Sequence, residues 1–266
     1  MVTGASSGIG RACAAEFARR GFRVVGTCRD PSRLAAADRL PGVDYQPLDL
    51  GDRASVAATA DRVGPLGPVD ILINNAGQSL MGPLEEVGID VVERLFAVNV
   101  FGQIQLTQLL VPGMRAAGGG SVVMVGSLIA EFPLPFRSAY VASKAALGGF
   151  VLSARRELAP FGIRISLVEP GYVRTALTGN RPVEARGDSP YAGAFAAVRA
   201  AIARGDARGG SPEPVARRIA KIALATDPPP VRAAGRGAPA LLAARRLMSH
   251  RLAERLIARS HGLTQR

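Results

Sequence analysis

The feature that most constrains this chain is a regular alternation of short apolar runs with longer helical stretches. Residues 23–28 (RVVGTC), 69–74 (VDILIN), 121–126 (SVVMVG) and 163–168 (IRISLV) are almost continuously apolar and rich in Val and Ile. Strands covered on both faces need that character. Residues 44–48 form a weaker fifth strand, and 231–235 (VRAAG) a weak last one with little to pack. Helical patterns cover 9–20, 53–63, 89–116 and 138–159, and Gly21 stops the first of them. Strands and helices in this order join as parallel βαβ units with right-handed crossovers. The expected fold is α/β, a single doubly wound parallel sheet with helices on both faces. A length of 266 residues suits one such domain. It divides into a cofactor and catalytic core (about 1–175), a substrate loop with helices (about 176–235) and a basic C-terminal helix (about 236–266).

After Pro170 the alternation loosens. Residues 179–188 (GNRPVEARGD) read as a loop, and Ser189-Pro190 and Ser211-Pro212 each read as an N-cap followed by a first-turn proline. An irregular insertion beside a regular sheet is where substrate specificity is expected.

Several function classes are excluded. No apolar run approaches the roughly 18 residues needed to cross a bilayer, and the N-terminus has no signal-peptide pattern. Cys13 and Cys28 cannot build a disulfide framework, and His250 and His261 lie too far away to complete a metal site, so no metal is expected. A reducing, cytoplasmic setting is expected. The net charge is +12, and only Lys144 and Lys221 are lysines. Residues 231–266 hold eight arginines against Glu254 alone. This tail has no aromatic residue and no nucleic-acid module, which argues against nucleic-acid binding. On a helical wheel Leu241, Met248, Leu252 and Leu256 share a stripe flanked by arginines. One reading is a membrane-surface helix. The preferred one is a stripe docked on the domain beneath a solvated basic face.

Residues 3–10 (TGASSGIG) open the first helix. Glycines there let the backbone approach a pyrophosphate, whose charge is stabilised at a helix N-terminus. Gly4, Ser6, Ser7, Gly8, Ile9 and Gly10 are therefore candidate cofactor contacts. Downstream come Asn74-Asn75-Ala76-Gly77 at a strand end, Asn99 in the long helix, Ser127 closing a strand, Tyr140 and Lys144 opening a helix, and Pro170-Gly171 after the next strand. Reduction of a carbonyl needs a proton donor for the developing alkoxide. Tyr140 and Lys144 stand four apart on one helix face, and an ammonium there favours the phenolate. Ser127 can donate a hydrogen bond to the same oxygen.

Taken together, in order from Thr3 to Thr175, these motifs resemble the short-chain dehydrogenase/reductase superfamily, a Rossmann-type fold. Within it the chain resembles the hydroxysteroid and retinol dehydrogenase-like branch, notably in Thr27-Cys28-Arg29-Asp30-Pro31 and the arginine-rich tail. The resemblance implies that Tyr140 is the acid/base and that Lys144 also binds the nicotinamide ribose. It further implies that Ser127 orients the substrate carbonyl and that Asn99 holds a water in a proton relay. Asp49 and Leu50 match the pair that touches the adenine, and Thr175 the residue that binds the carboxamide. Asn75, Ala76, Gly77, Tyr140, Lys144, Pro170, Gly171 and Val173 fall at further cofactor positions. It also implies a homodimer or homotetramer that pairs the helix carrying Tyr140.

An acid at the end of the second strand would repel a 2′-phosphate, but Cys28 stands there and Arg29 is next. A guanidinium pairs well with phosphate, so NADP(H) is preferred over NAD(H). Asp30 is read as the start of the next helix. Phe132, Leu134, Phe136, Tyr172, Leu177, Tyr191 and Phe195 offer an apolar cleft, with Ser127, Phe132, Leu134, Tyr172 and Leu177 assigned to the substrate. The expected substrate is a small lipophilic ketone or alcohol. The alternatives are a nicotinamide-sensing protein without turnover and a membrane-surface-associated lipid or retinoid reductase.

One departure stands out. The family has a full strand before the Thr-Gly turn, whereas here only Met1 and Val2 precede Thr3. The first strand reads as truncated, with a late start expected. Its neighbours should face a gap that leaves the cofactor turn poorly anchored.

Overall fold

The computed structural model describes residues 1–175 and 182–263. Six strands are present among them: β1 Val24–Cys28, β2 Val43–Pro47, β3 Ile71–Asn74, β4 Gly120–Val125, β5 Ile163–Pro170 and β6 Val231–Ala234. The helices are α1 Gly8–Arg19, α2 Arg53–Val63, α3 Ile89–Phe96, α4 Gly102–Ala116, α5 Ser138–Leu158, α6 Ala192–Ala207, α7 Glu213–Ala223, α8 Ala238–Leu247 and α9 His250–Ser260. All paired strands are parallel, β1 with β2 and β3 through β6 in order. Apolar residues cover the sheet on both faces. α1 and α7 pack through Ala14, Phe17, Val215 and Ile219 on one side. On the other, α2, α4 and α5 pack through Val56, Leu106, Met114, Leu147 and Val151. The doubly wound architecture is as the alternation of patterns predicts.

Between β1 and β3 runs the N-terminal segment. Val2 bridges in parallel to Gly26 on one side and Ile73 on the other. Backbone bonds Val2 N to Val25 O (2.8 Å), Thr27 N to Val2 O (2.9 Å) and Thr3 N to Ile73 O (2.9 Å) lock it into both neighbours. The expected poor anchoring of the cofactor turn is therefore corrected: the segment before it is bonded to both neighbouring strands. The gap lies at the opposite, amino end of the sheet, as a cavity of about 260 Å³ lined by Val2, Phe17, Val24, Val63 and Ile71 among others. The Met1 ammonium is buried at its edge and donates to Ile71 O at 2.7 Å. Burial takes its pKa down to about 5, against a smaller opposing pull from Asp70.

Three local readings are refined. Residues Ile89–Ala116 form one helical run long and apolar enough to cross a membrane, contrary to the sequence expectation. Here it is a core helix, burying Leu95, Val100, Leu106, Leu110 and Met114. The run is interrupted at Ala97–Phe101 by a π-helical turn that contains Asn99. Ser189 caps the turn before α6, through Tyr191 N at 3.2 Å, rather than the helix itself. The basic C-terminal stretch is two helices, because Met248 is extended and Ser249 caps α9. Its apolar stripe does not dock: Leu242, Ala253 and Ile257 are buried, whereas Leu241, Leu252 and Leu256 are exposed.

Candidate active site

The switch point of this sheet lies where connections leave the N-terminal segment for opposite edges, and in such sheets ligands bind at the carboxyl ends of the strands there. The glycine turn forms one wall. Gly4 and Gly8 have φ of +68° and +53°, which side-chain-bearing residues rarely adopt. A Cβ on Gly10 would sit 2.2 Å from Gly4 O, and one on Gly8 2.9 Å from Thr175 Cγ2. Ser7 is the N-cap of α1 and makes no side-chain capping bond. The first amides of a three-turn helix thus face a cradle that any Cβ would fill. That arrangement fits a pyrophosphate.

Thr3 ties this turn to the strand beside it. Its hydroxyl accepts from Asn75 N and Ala76 N, each at 2.9 Å, while Asn75 Nδ2 donates to Thr3 O at 2.9 Å. Gln103 in α4 donates to Ala76 O at 2.8 Å. The 75–77 loop is held from both sides. Asn99 fixes the residue just beyond it: the Asn99 amide accepts from Gln78 N (2.7 Å) and donates to Gln78 O (2.9 Å) and to Ser143 Oγ (3.0 Å). The π turn presents Asn99 to this loop and to α5 at once.

α5 brings the reacting groups. Tyr140 is buried among Leu80, Leu95 and Ile129. One turn on, Lys144 Nζ donates to Val125 O at 3.0 Å, fixing α5 to the end of β4. Two residues later Ser127 starts a 3-10 turn, and its Oγ accepts from Ile129 N at 3.3 Å, leaving its proton to be donated elsewhere. A Cβ on Gly77 would lie 3.1 Å from Asn99 Oδ1 and 3.5 Å from Lys144 Nζ. Asn99, Gly77 and Lys144 therefore meet at one point beside the turn.

Burial lowers the Lys144 pKa from the ordinary 10.5 to about 8. Between those values the folded chain binds fewer protons than the unfolded one, so stability falls as pH is lowered from about 10.5 to about 8. At neutral pH the buried charge costs on the order of 3 kcal/mol. Lys144→Met should accordingly gain stability relative to the parent protein in urea unfolding at pH 7. That advantage should shrink as pH rises through the same interval, and a gap independent of pH would show that the amine is not desolvated.

Sequence reasoning missed Arg137. It is buried, its guanidinium lies 4.5 Å from the centroid of the Tyr140 ring, and Nη2 donates to Ser79 Oγ at 2.7 Å. A second cation thus flanks the tyrosine, on its ring face. Glu169, at the end of β5, was also missed. Burial, with Glu131 adding to it and Arg246 opposing, raises its carboxyl to about 7, and its side chain lies beside Gly126 under the Ser127 turn.

The other expected positions are spread around this centre. Arg29 is exposed just beyond β1. Asp30 turns away from it, accepting from Ser32 N at 2.9 Å and pairing with Arg33 at 3.2 Å, so it begins the next 3-10 turn as read from the sequence. Asp49 accepts from Gly51 N at 2.8 Å beside buried Leu50. Gly171 N donates to Ala234 O at 3.1 Å, and Val173 bridges to Gly210. Leu134 packs between the Tyr140 cluster and that of Phe195, which Phe136 also joins. Phe136 stacks edge-on to Tyr191 and Phe195. Phe195 is core, whereas Phe132 is half-buried. Tyr172 is half-exposed and lies across Gly205 of α6. Leu177 lies outside the described residues. Among the described residues no His, Cys, Asp and Glu cluster could hold a metal.

This site has counterparts. The family model "short chain dehydrogenase" matches residues 1–185. The chain belongs to the short-chain dehydrogenase/reductase family. It is 35% identical over 234 residues to the uncharacterized oxidoreductase YusZ of Bacillus subtilis, covering 84% of this chain and 83% of that one. Human 17-beta-hydroxysteroid dehydrogenase type 1 is 42% identical over 187 residues, or 66% of this chain and 57% of that protein, so the chain spans little more than half of that relative. Among solved structures, a short-chain dehydrogenase from Streptomyces avermitilis aligns with a TM-score of 0.81 at 33% identity, covering 97% and 93% of the two chains. A 3-ketoacyl-(acyl-carrier-protein) reductase from Brucella melitensis, complexed with NADH, aligns at 0.72 and 28% identity, covering 87% and 93%. As a short-chain dehydrogenase/reductase the chain is an NAD(P)-dependent oxidoreductase acting on CH–OH groups.

Proposed function

We propose that this chain is an NADP(H)-dependent oxidoreductase that interconverts a lipophilic secondary alcohol and its ketone, or an aldehyde. The observation that carries this reading is Tyr140, buried beside Lys144 and the 75–77 loop at the mouth of the glycine turn. A bound nicotinamide would supply or accept the hydride. Tyr140 gives its phenolic proton to the substrate oxygen in reduction and takes it back in oxidation. Lys144 offsets the phenolate charge, and Ser127 donates to the same oxygen. The Asn99 amide is engaged with Gln78 and Ser143, so its side chain acts by positioning.

Gly4, Ser6, Ser7, Gly8, Ile9 and Gly10 would hold the pyrophosphate, with Asn75, Ala76, Gly77, Pro170, Gly171, Val173 and Thr175 toward the nicotinamide and Asp49 and Leu50 toward the adenine. Phe132, Leu134 and Tyr172 supply apolar surface for the substrate. Exposed Phe101 and Leu109 near and on α4, and Leu152 on α5, support a homo-oligomer that buries those helices. Cys13, buried and with its thiol raised to about 12 mainly by that burial, is inert.

Two measurements test the reading. NADPH consumption across a series of ketones of increasing apolar surface should show turnover that rises with that surface. Tight NADPH binding without turnover of any ketone would favour the nucleotide-sensing alternative. For cofactor choice, Arg29→Asp exchanges a phosphate partner for a repelling carboxylate. It should lower the NADPH-over-NADH ratio of kcat/KM by roughly 10–100-fold. An unchanged ratio would mean that the 2′-phosphate is held elsewhere.

A further inference from the structure

We infer that the outward face of α8 and α9 docks on an anionic lipid surface. α9 buries Ala253 and Ile257 against the body and leaves Leu252 and Leu256 exposed by 46% and 45%. Arg251, Arg255 and Arg259, also exposed, recur at every fourth position. A row of guanidiniums therefore runs beside a row of leucines on the solvent half of the helix. α8 likewise leaves Leu241 and Leu247 exposed, the latter by 90%. Large apolar side chains this open, paired on α9 with a cationic row, are of the kind that marks an interaction surface.

Charge decides the occupant. Residues 231–266 carry eight arginines against Glu254. Among the described residues none of the ion pairs involves Arg251, Arg255 or Arg259. A second copy of the chain on this face would bring like arginine rows together. A bilayer bearing anionic headgroups satisfies both rows at once: the leucines enter the acyl boundary while the arginine stems snorkel to the phosphates. The end of α9 leads to the substrate side of the fold, where Gly262 lies against Ala197 of α6 and Leu263 packs with Met81 and Phe195. Docking there would set the cleft near the membrane.

The test is co-sedimentation of the full chain with vesicles of phosphatidylcholine alone or mixed with phosphatidylserine. Binding to the mixed vesicles should be at least about tenfold stronger and should weaken with salt. L252S/L256S and R251Q/R255Q/R259Q should each lower it about tenfold, with NADPH-dependent turnover and melting temperature unchanged. R23Q/R53Q/R115Q removes equal charge elsewhere on the surface and should change binding by no more than about twofold. Equal loss in both arginine sets would reduce the effect to net charge and overturn the proposal. So would equal partitioning of all variants. Sedimentation equilibrium completes the test: if L252S/L256S dissociates an oligomer, the face belongs to a second copy and the proposal fails.

Discussion

Tyr140→Phe should lower turnover by about a thousandfold or more while leaving NADPH affinity within about twofold. The substitution removes one hydroxyl and keeps the apolar packing of the ring. Leu80, Leu95 and Ile129 still pack against it, and Arg137 still lies over its face. Lys144 keeps its bond to Val125 O, so the α5–β4 junction is undisturbed. The loss falls on the proton donor for the developing alkoxide, and Ser143, three residues on, does not replace it. Ser143 is committed to Tyr140 O at 2.8 Å and to Asn99. Steady-state rates on any accepted ketone, with nicotinamide fluorescence for binding, separate the two effects. Retained turnover would remove Tyr140 from the acid/base role.

Gly10→Ala should have a comparable effect on the opposite wall. The new methyl would meet Gly4 O at 2.2 Å and Asn75 Nδ2 at 2.5 Å. Neither neighbour can yield cheaply: Gly4 O belongs to the turn itself, and Asn75 Nδ2 donates to Thr3 O. Relief requires α1 to move off the turn, which spoils the amide cradle and strains the bonds holding residues 75–77. Nucleotide affinity should fall at least about a hundredfold, and the protein should lose several kcal/mol of stability. Gly193→Ala, with nothing within 4 Å of the added Cβ, is the matched control and should be neutral or stabilising. Full nucleotide affinity in the Gly10 variant would show that the turn is not a binding cradle.

Much of this was legible in the residues because it depends on local rules. Burial on both faces wrote the strands as apolar runs, and a four-residue spacing put Tyr140 and Lys144 on one side of a helix. Asp30 declared itself a cap by standing before Pro31. Contacts between distant segments were not legible. Nothing in Pro-Phe-Arg-Ser marks Arg137 as the one arginine that turns inward to Ser79 and the Tyr140 ring. The π turn at Asn99 leaves no periodic trace, since one residue too many in a helix shifts the apolar pattern only slightly. The C-terminal helices failed for a different reason. Each has two apolar sides, and a helical wheel does not say which of them meets the body: Leu242, Ala253 and Ile257 are buried, and Leu241, Leu252 and Leu256 face outward. The N-terminal segment likewise needed three dimensions. Three residues pair with two strands at once, which a count of preceding residues cannot foresee.

The central claim is that the glycine turn and the α5 groups form a working nicotinamide site. The most direct test is a titration of the purified chain with NADPH and NADH, following nicotinamide emission by direct excitation because the chain has no tryptophan to report binding. Saturable binding of both nucleotides is expected, tighter for NADPH, with the difference lost in Arg29→Asp. Failure of both nucleotides to bind would contradict the claim.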